Sequence, residues 1–171
     1  LYGAELEVQK FVPLDTLSDS KAFASRRLVL IGNYTYSESE IKVGADDTII
    51  LPFGEFGEVR NASDYFDDGA PLTGQSKHLV NLQLGVEDTD RLSQQTILLT
   101  YASKRVTNRG PENQPDIFEK PGIKLDVVLR EGFEFYGREL ELKLEARNLT
   151  NTKFQEYQTN GTNRIDVNTY K

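Results

Sequence analysis

The residues best suited to catalysis are few and scattered along the chain. The single histidine, His78, follows Lys77 at the start of a predicted strand. A histidine without a visible partner lacks the mutual geometry that a catalytic site needs. The sequence contains no nucleophile elbow, no His-Glu-x-x-His pattern and no phosphate-binding loop. We therefore predict that the chain is not an enzyme and has no catalytic residue.

Carboxylates on the predicted strands resemble a general acid–base set, but basic residues accompany them. Opposite charges pair across neighbouring strands of a sheet. We therefore predict a ladder of ion pairs on a wetted sheet face and not an acid–base pair. The acids are Glu5, Glu7, Glu141 and Glu145, and the bases are Lys124, Arg130, Lys143 and Arg147.

The negative charge of the chain is concentrated in one segment. Residues 38–69 contain nine acidic residues and two basic ones, and this segment alone accounts for the formal net charge of −7. The rest of the chain is neutral overall, which argues against a broad nucleic-acid-binding surface. Cysteine is absent, which excludes a disulfide framework and a thiolate metal site.

This acidic segment, predicted as one long loop over about residues 38–73, is the best candidate for a functional site. Acids beside aromatic rings suit a cationic or aromatic ligand. Residues 64–69 also offer the oxygens that Ca²⁺ prefers, but their spacing is not that of an EF-hand, and we predict no metal site and no cofactor. The simpler alternative is a solvated loop. The ligand-contact candidates are Phe53, Phe56, Asp64, Tyr65, Phe66, Asp67 and Asp68.

Alternation with a period of two residues predicts the elements that position these side chains. The clearest case is residues 139–147, where Leu140, Leu142, Leu144 and Ala146 oppose charged residues. Helical spacing would put Leu140 and Leu142 on different faces. Six long strands are predicted, over residues 2–9, 27–37, 80–87, 96–104, 123–130 and 139–147.

The predicted connections alternate in length. Short links cover residues 87–92 and 132–138, and long ones cover 38–73 and 106–121. The link over residues 12–25 is intermediate in length and should belong with the short ones by its place in the order. No run of 18 apolar residues exists, which excludes a transmembrane helix. Long strands with one polar face, short turns on one side and long loops on the other are typical of outer-membrane barrels. We predict an all-β fold, part of an antiparallel up-and-down transmembrane β-barrel.

Three segments resemble the TonB-dependent outer-membrane receptors. LYGAELEVQKFV is similar to the family's strand with a Gly-x-Glu-x-Glu pattern, and APLTGQSKHLVNLQLGVED resembles its re-entry after a long extracellular loop. LELKLEARNLTNTKFQEYQ is similar to its penultimate strand, which ends in an Asn-Leu-Thr-Asn turn. The resemblance covers essentially the whole chain, residues 1–171, and places it in the C-terminal part of the barrel, without the plug and without the final strand.

The resemblance implies a receptor segment in the bacterial outer membrane. Its expected partners are outer-membrane lipid, TonB acting through the plug region, and a large scarce solute such as a siderophore, haem, cobalamin or an oligosaccharide. No nucleic acid is expected. Two alternatives stay open: a secreted β-sandwich that binds carbohydrate or protein, which six alternating strands also suit, and a β-rich enzyme, for which the sequence offers no convergent site.

Overall fold

A computed structural model describes residues 1–17, 19–50, 57–110 and 114–170. The described residues form an all-β fold with one 3-10 turn, Ala62–Asp64, and no helix among them is long and apolar enough to cross a membrane. The strands are β1 Tyr2–Pro13, β2 Arg26–Glu38, β3 Thr48–Ile50, β4 Val59–Asn61, β5 His78–Asp88, β6 Ser93–Ala102, β7 Arg105–Asn108, β8 Ile117–Glu119, β9 Gly122–Phe135, β10 Arg138–Ala146, β11 Phe154–Thr159 and β12 Arg164–Tyr170.

The six predicted strands pair into one antiparallel sheet in the order β1-β2-β5-β6-β9-β10. Each long strand therefore lies beside the long strand that precedes it in sequence. This arrangement confirms the all-β, antiparallel prediction. The sheet is open, with β1 and β10 at its edges, so closure into a transmembrane barrel stays a prediction.

One face of this sheet is apolar and lies open to the surroundings. The register aligns Leu30, Leu84 and Ile97 as direct neighbours on β2, β5 and β6. These three side chains are 41%, 46% and 45% exposed. The same face carries Leu6 on β1 and Leu144 on β10, which are also exposed. An uncovered apolar surface that crosses all six strands is far larger than the scattered exposed residues of ordinary soluble domains.

The opposite face is polar and contains the better-buried side chains. A cross-strand row places Val29, Thr96 and Val128 on this face, and Val29 and Thr96 are almost fully buried. Leu98 and Val128 break the alternation of their strands because they lie among the polar residues of this face. Their apolar side chains extend a small buried patch there instead of adding to the exposed apolar face.

A second sheet, of order β12-β11-β8-β7, lies beyond one end of the first. The strands β6 and β7, and likewise β8 and β9, are separated in sequence by only two residues. The second sheet therefore prolongs the hairpin formed by β6 and β9. The strand β12, like β7, β8 and β11, was not predicted, although Ile165 and Val167 alternate with polar neighbours in it. It pairs with β11 and makes the meander longer than the six strands expected.

The Asn-Leu-Thr-Asn motif forms the turn between β10 and β11. Asn148 adopts the left-handed conformation with φ 53°. Its backbone N–H donates to Asp126 at 2.6 Å, and its side-chain amide donates to the carbonyl of Thr152 at 2.9 Å. Asparagine tolerates this conformation because its short polar side chain can bond to nearby backbone. The motif thus bends the chain from the first sheet into the second.

The connections alternate in length as predicted. At one end the links are residues 14–25, 89–92 and 136–137, and the last is a two-residue turn in which Tyr136 and Gly137 have φ of 51° and 69°. Such values belong to the tight turns that match the twist of a hairpin. At the other end lie the acidic segment and the prolonged β6–β9 hairpin. Both long connections therefore lie at the same end of the sheet.

Candidate functional site

The acidic segment is a folded loop in its described part. The strands β3 and β4 form a small hairpin, followed by the 3-10 turn Ala62–Asp64. The loop is closed at its base by backbone bonds between Ile41 and residues 69–70. There the backbone N–H of Val43 donates to the carboxylate of Asp68 at 2.9 Å. Asp68 is therefore a structural residue of this loop.

The second long connection is held against the first by Arg109. Its guanidinium donates to the carboxylate of Asp116 at 2.6 Å, and its other terminal nitrogen donates to the carbonyl of Pro71 in the acidic segment. The Gly74 N–H donates to the Val106 carbonyl at 2.7 Å. The Arg109 side chain is only 15% exposed. A charged group that bridges two loops and is largely buried fixes their relative position.

A cleft of about 640 Å³ separates the two loops. One wall is formed by Arg60 and residues 63–67 of the acidic segment. The other is formed by residues 109–110 and 114–116, with Phe118 and Thr159. A volume of this size lies within the range of about 300–1,000 Å³ that is usual for small-molecule sites.

The charges of this cleft are unevenly satisfied. Arg60 pairs with Glu58 at 2.5 Å, and Arg109 pairs with Asp116 at 2.6 Å. Asp116 also accepts the backbone N–H of Gly110 at 3.0 Å. Asp64 and Asp67 are exposed and form no ion pair with the described residues. The cleft therefore has neutralised cations and two uncompensated carboxylates.

The structure brings together four of the seven predicted ligand-contact residues. Asp64, Tyr65, Phe66 and Asp67 line the cleft. Asp68 does not line it, because its carboxylate is engaged with Val43. Phe53 and Phe56 lie outside the described residues.

Sequence analysis missed the wall contributed by the second loop. Arg109, Asp116 and Phe118 are more than forty positions away from Asp64 in the chain, and no local pattern links the two segments. The one available signal was the opposite charge of Arg109 and Asp116, placed on the two sides of a hairpin tip. That signal predicts a closed tip but not its contact with the acidic segment.

The charge ladder predicted on the polar face is present in part. Arg130 donates to Glu141 on the neighbouring strand at 2.7 Å. Glu145 pairs with Lys143 and with Arg147 along the edge strand β10. Glu5 accepts a hydrogen bond from Asn33 at 2.6 Å. These carboxylates have partners on their own sheet face, as expected for a wetted wall of paired charges.

A cluster around Glu38 joins three strands at the loop end of the sheet. The Glu38 carboxylate accepts hydrogen bonds from the Tyr2 hydroxyl at 2.6 Å and from the Tyr36 hydroxyl. Lys77, just before β5, donates to it at 2.8 Å. The Lys77 ammonium and the two hydroxyls stabilise the charged form and lower the pKa of Glu38 to about 2. The same contact raises the pKa of Lys77.

His78 joins this cluster through contacts with two tyrosines. Its Nδ1 is 2.9 Å from the Tyr34 hydroxyl, and its ring stacks on that of Tyr34. The Tyr36 ring also contacts the His78 ring, with centroids 5.5 Å apart and the ring planes tilted by 44°. In the described part of the chain, no group of three or more His, Cys, Asp or Glu side chains is placed to hold a metal ion.

The molecule thus offers an exposed apolar face, an opposite face of paired charges, and a cleft between two loops at one end. Comparison with models of protein families, with curated proteins and with solved structures finds no match for this chain. The function is therefore inferred from these three surfaces and from the sequence motifs.

Proposed function

We propose that the chain is a wall segment of an outer-membrane transport receptor of the TonB-dependent kind. In this proposal the apolar face contacts lipid, the polar face lines the lumen, and the two long loops face the medium and meet the solute. The segment does no covalent chemistry. In this proposal uptake is driven by TonB acting through a plug domain.

The observation that carries the proposal is the uncovered apolar face. On β2 the apolar positions run from Leu28 to Tyr36, which is ~27 Å along the strand at ~3.4 Å per residue. At the ~40° tilt usual for membrane barrels this becomes ~21 Å along the membrane normal, close to the apolar band of ~25 Å. A face of this height suits the hydrocarbon core of an outer membrane.

Aromatic side chains border this band at both ends. Tyr34, Tyr36 and Tyr101 lie on the apolar face near the long loops. Phe133 and Phe135 lie on the same face near the short turns and are 48% and 56% exposed. Aromatic rings are enriched at both membrane–water interfaces of such barrels. High β-propensity explains some aromatic residues in strands, but not their separation into two bands.

The sandwich alternative requires the apolar face to be covered by a second sheet. Within the described residues the second sheet prolongs the first at one end, and the central residues Leu82 and Leu84 remain 47% and 46% exposed. Two packed sheets would bury these positions against each other. The exposed face therefore favours lipid as the covering medium.

Single-cysteine labelling tests the proposal, since every introduced cysteine is the only one in the chain. The variants Leu82→Cys and Leu84→Cys carry an environment-sensitive fluorophore on the apolar face, and Asn81→Cys and Gln83→Cys carry it on the polar face. In bilayer vesicles we expect brominated lipid to quench the first pair and aqueous iodide to quench the second.

Equal quenching of the two pairs would contradict the proposal. The control uses the same labelled chains in buffer without lipid. Their unfolding in urea is followed by far-UV circular dichroism. A monomer that unfolds cooperatively in plain buffer buries its apolar face within the protein, and the β-sandwich would then replace the receptor segment. Structure that forms only with detergent or lipid supports the receptor segment.

A further inference from the structure

We propose that the turn between β9 and β10 is a membrane anchor, in which Tyr136 and Arg138 contact the phospholipid headgroups of the leaflet on the short-turn side. The proposal rests on the proposed function, because it requires the apolar face of the sheet to contact lipid. It depends on a strained backbone, on the continuity of the apolar face into the turn and on an unpaired positive charge.

The first observation is the backbone conformation of Tyr136. Among the described residues, three that are not glycine have positive φ, namely Tyr136, Asn148 and Asn151. Asparagine tolerates the left-handed conformation, whereas a bulky side chain there is a genuine outlier. Asparagine before glycine is also the preferred sequence of this kind of two-residue turn. A tyrosine that strains its own turn indicates a role for its side chain.

The Tyr136 side chain projects away from the fold. It is 90% exposed, and its ring stands edge-on to that of Phe135, with centroids 4.5 Å apart. Phe135 is itself more than half exposed, so the contact between the two rings buries little area and contributes little to stability. The strain at Tyr136 is therefore not offset by packing among the described residues.

The second observation is that the turn continues the apolar face of the sheet. Phe135 shares this face with Phe133, and Phe133 is the direct cross-strand neighbour of Leu140. All three side chains are exposed. In the proposed orientation the apolar band ends here, which places Tyr136 at the boundary between hydrocarbon and water. Tyrosine suits this boundary because its ring is apolar and its hydroxyl is polar.

The third observation is the charge of Arg138 at the same boundary. Arg138 is the direct cross-strand neighbour of Phe135, so it occupies a position at the end of the apolar face. It is exposed and forms no ion pair in the described part of the chain. The acids of this hairpin, Glu134 and Glu139, are opposite each other on the polar face.

These three observations favour a phospholipid headgroup as the occupant. An arginine with an apolar stem can lie along a lipid-facing surface while its guanidinium reaches the polar layer. There the guanidinium can bind a phosphate through two parallel hydrogen bonds. The neighbouring aromatic rings fill the layer just below the phosphates. Lipid thus supplies both the apolar and the anionic partner that this turn lacks.

Tryptophan fluorescence measures the depth of the turn, since the chain has no tryptophan of its own. The full chain is folded into vesicles of equal parts phosphatidylcholine and phosphatidylglycerol. Tyr136→Trp is compared with Leu84→Trp at the centre of the apolar face and with Thr162→Trp in the exposed turn between β11 and β12. We expect lipid brominated near the headgroup to quench the first variant most, lipid brominated deep in the acyl chain the second, and aqueous iodide the third.

The sign of a stability change separates anchoring from a role in the turn alone. Tyr136→Asn introduces the residue that the turn prefers and removes the ring. A residue that only shapes the turn would then raise the urea midpoint of unfolding in the vesicles. We expect the midpoint to fall, with an equilibrium constant of folding about fivefold lower, because the lost apolar contact outweighs the relieved strain. Tyr136→Trp keeps an amphipathic ring and should stay within about twofold of the unchanged chain.

Two arginine variants test the contact with phosphate. Arg138→Gln and Arg147→Gln each remove one positive charge from an exposed arginine near an end of β10. In the same vesicles Arg138→Gln should lower the equilibrium constant of folding about fivefold, as expected for the loss of one cation at an anionic surface. Arg147→Gln should change it by less than about twofold, because Arg147 already pairs with Glu145 on the polar face.

Three outcomes would overturn the inference. They are quenching of Tyr136→Trp by iodide and not by brominated lipid, a higher urea midpoint for Tyr136→Asn in vesicles, and equal losses in the two arginine variants. The depth measurement decides alone if Tyr136→Asn does not fold. The cysteine labels at Leu82 and Leu84 report on the sheet face independently. If those labels contact lipid while residue 136 stays in water, the anchor fails and the receptor wall stands.

Discussion

Replacing Leu84 by lysine tests whether the apolar face of the sheet contacts lipid or water. Leu84 lies near the middle of β5, six residues from His78 and four residues from Asp88. At ~3.4 Å per residue these separations are ~20 Å and ~14 Å along the strand, so the position falls close to the centre of the apolar band. Its neighbours in register, Leu30 and Ile97, are apolar as well.

The free energy of unfolding that a lysine at this position removes differs greatly between lipid and water. A lysine on the lipid face near the midplane of a membrane barrel costs ~2–4 kcal/mol, which is ~30-fold to ~900-fold in the folded population. At a half-exposed position in water the same substitution changes the free energy of unfolding by no more than about 0.5 kcal/mol. The difference is large enough to measure with ordinary unfolding curves.

The assay is urea unfolding of the full chain in bilayer vesicles, followed by circular dichroism. Gln83→Lys is the matched control, since Gln83 is the preceding residue and lies on the polar face. We expect Leu84→Lys to lower the free energy of unfolding by ~2–4 kcal/mol and Gln83→Lys to change it little. Equal effects of the two substitutions would refute a lipid-facing Leu84, and so would a cost below about 0.5 kcal/mol for both.

Three further predictions concern the loop end of the sheet. The pKa of Glu38 lies near 2 in the fold, below its ordinary value, so Glu38 stabilises the fold above about pH 4.5 and this stabilisation is lost as the pH falls towards about 2; carboxyl NMR titration measures it. Arg109→Ala should lower the free energy needed to open the contact between the loops by ~1–3 kcal/mol, and amide exchange at Gly74 should become faster. Asn148→Ala should cost ~1–3 kcal/mol in urea unfolding, because alanine adopts positive φ poorly and removes the bonds of the turn.

Each of these predictions has a control in the same molecule. For the titration it is Glu38→Gln, which should abolish the acid-dependent loss of stability assigned to Glu38. For the loop contact it is Arg147→Ala, an arginine whose side chain is 75% exposed and whose loss should leave exchange at Gly74 unchanged. For the turn it is Asn148→Gly, which restores the backbone freedom and should recover part of the stability. If a control substitution has the same measured effect as its test variant, the corresponding explanation is contradicted.

The predictions made from sequence held best where a residue's environment depends on its near neighbours. The alternation of Leu140, Leu142 and Leu144 was sufficient to identify β10 and its apolar side, because successive side chains of a strand point to opposite faces. Alternation alone does not explain the apolar Leu98 and Val128, which lie among polar residues and whose surroundings depend on cross-strand neighbours. It also missed the short strands β3, β4, β7, β8, β11 and β12, because a short strand in a polar stretch gives a weak signal.

The amino-acid sequence by itself determined the six long strands, their faces, the unequal loops and the concentration of acid in one segment. Only the tertiary structure decided that the apolar face lies uncovered and that Asp64 shares a cleft with Phe118. The reason is physical: alternation is a local property of the backbone, whereas burial and loop contact depend on segments far apart in the chain. Arg109 and Pro71 are 38 residues apart, and their contact exists only once β5 and β6 have paired and brought the two loops together.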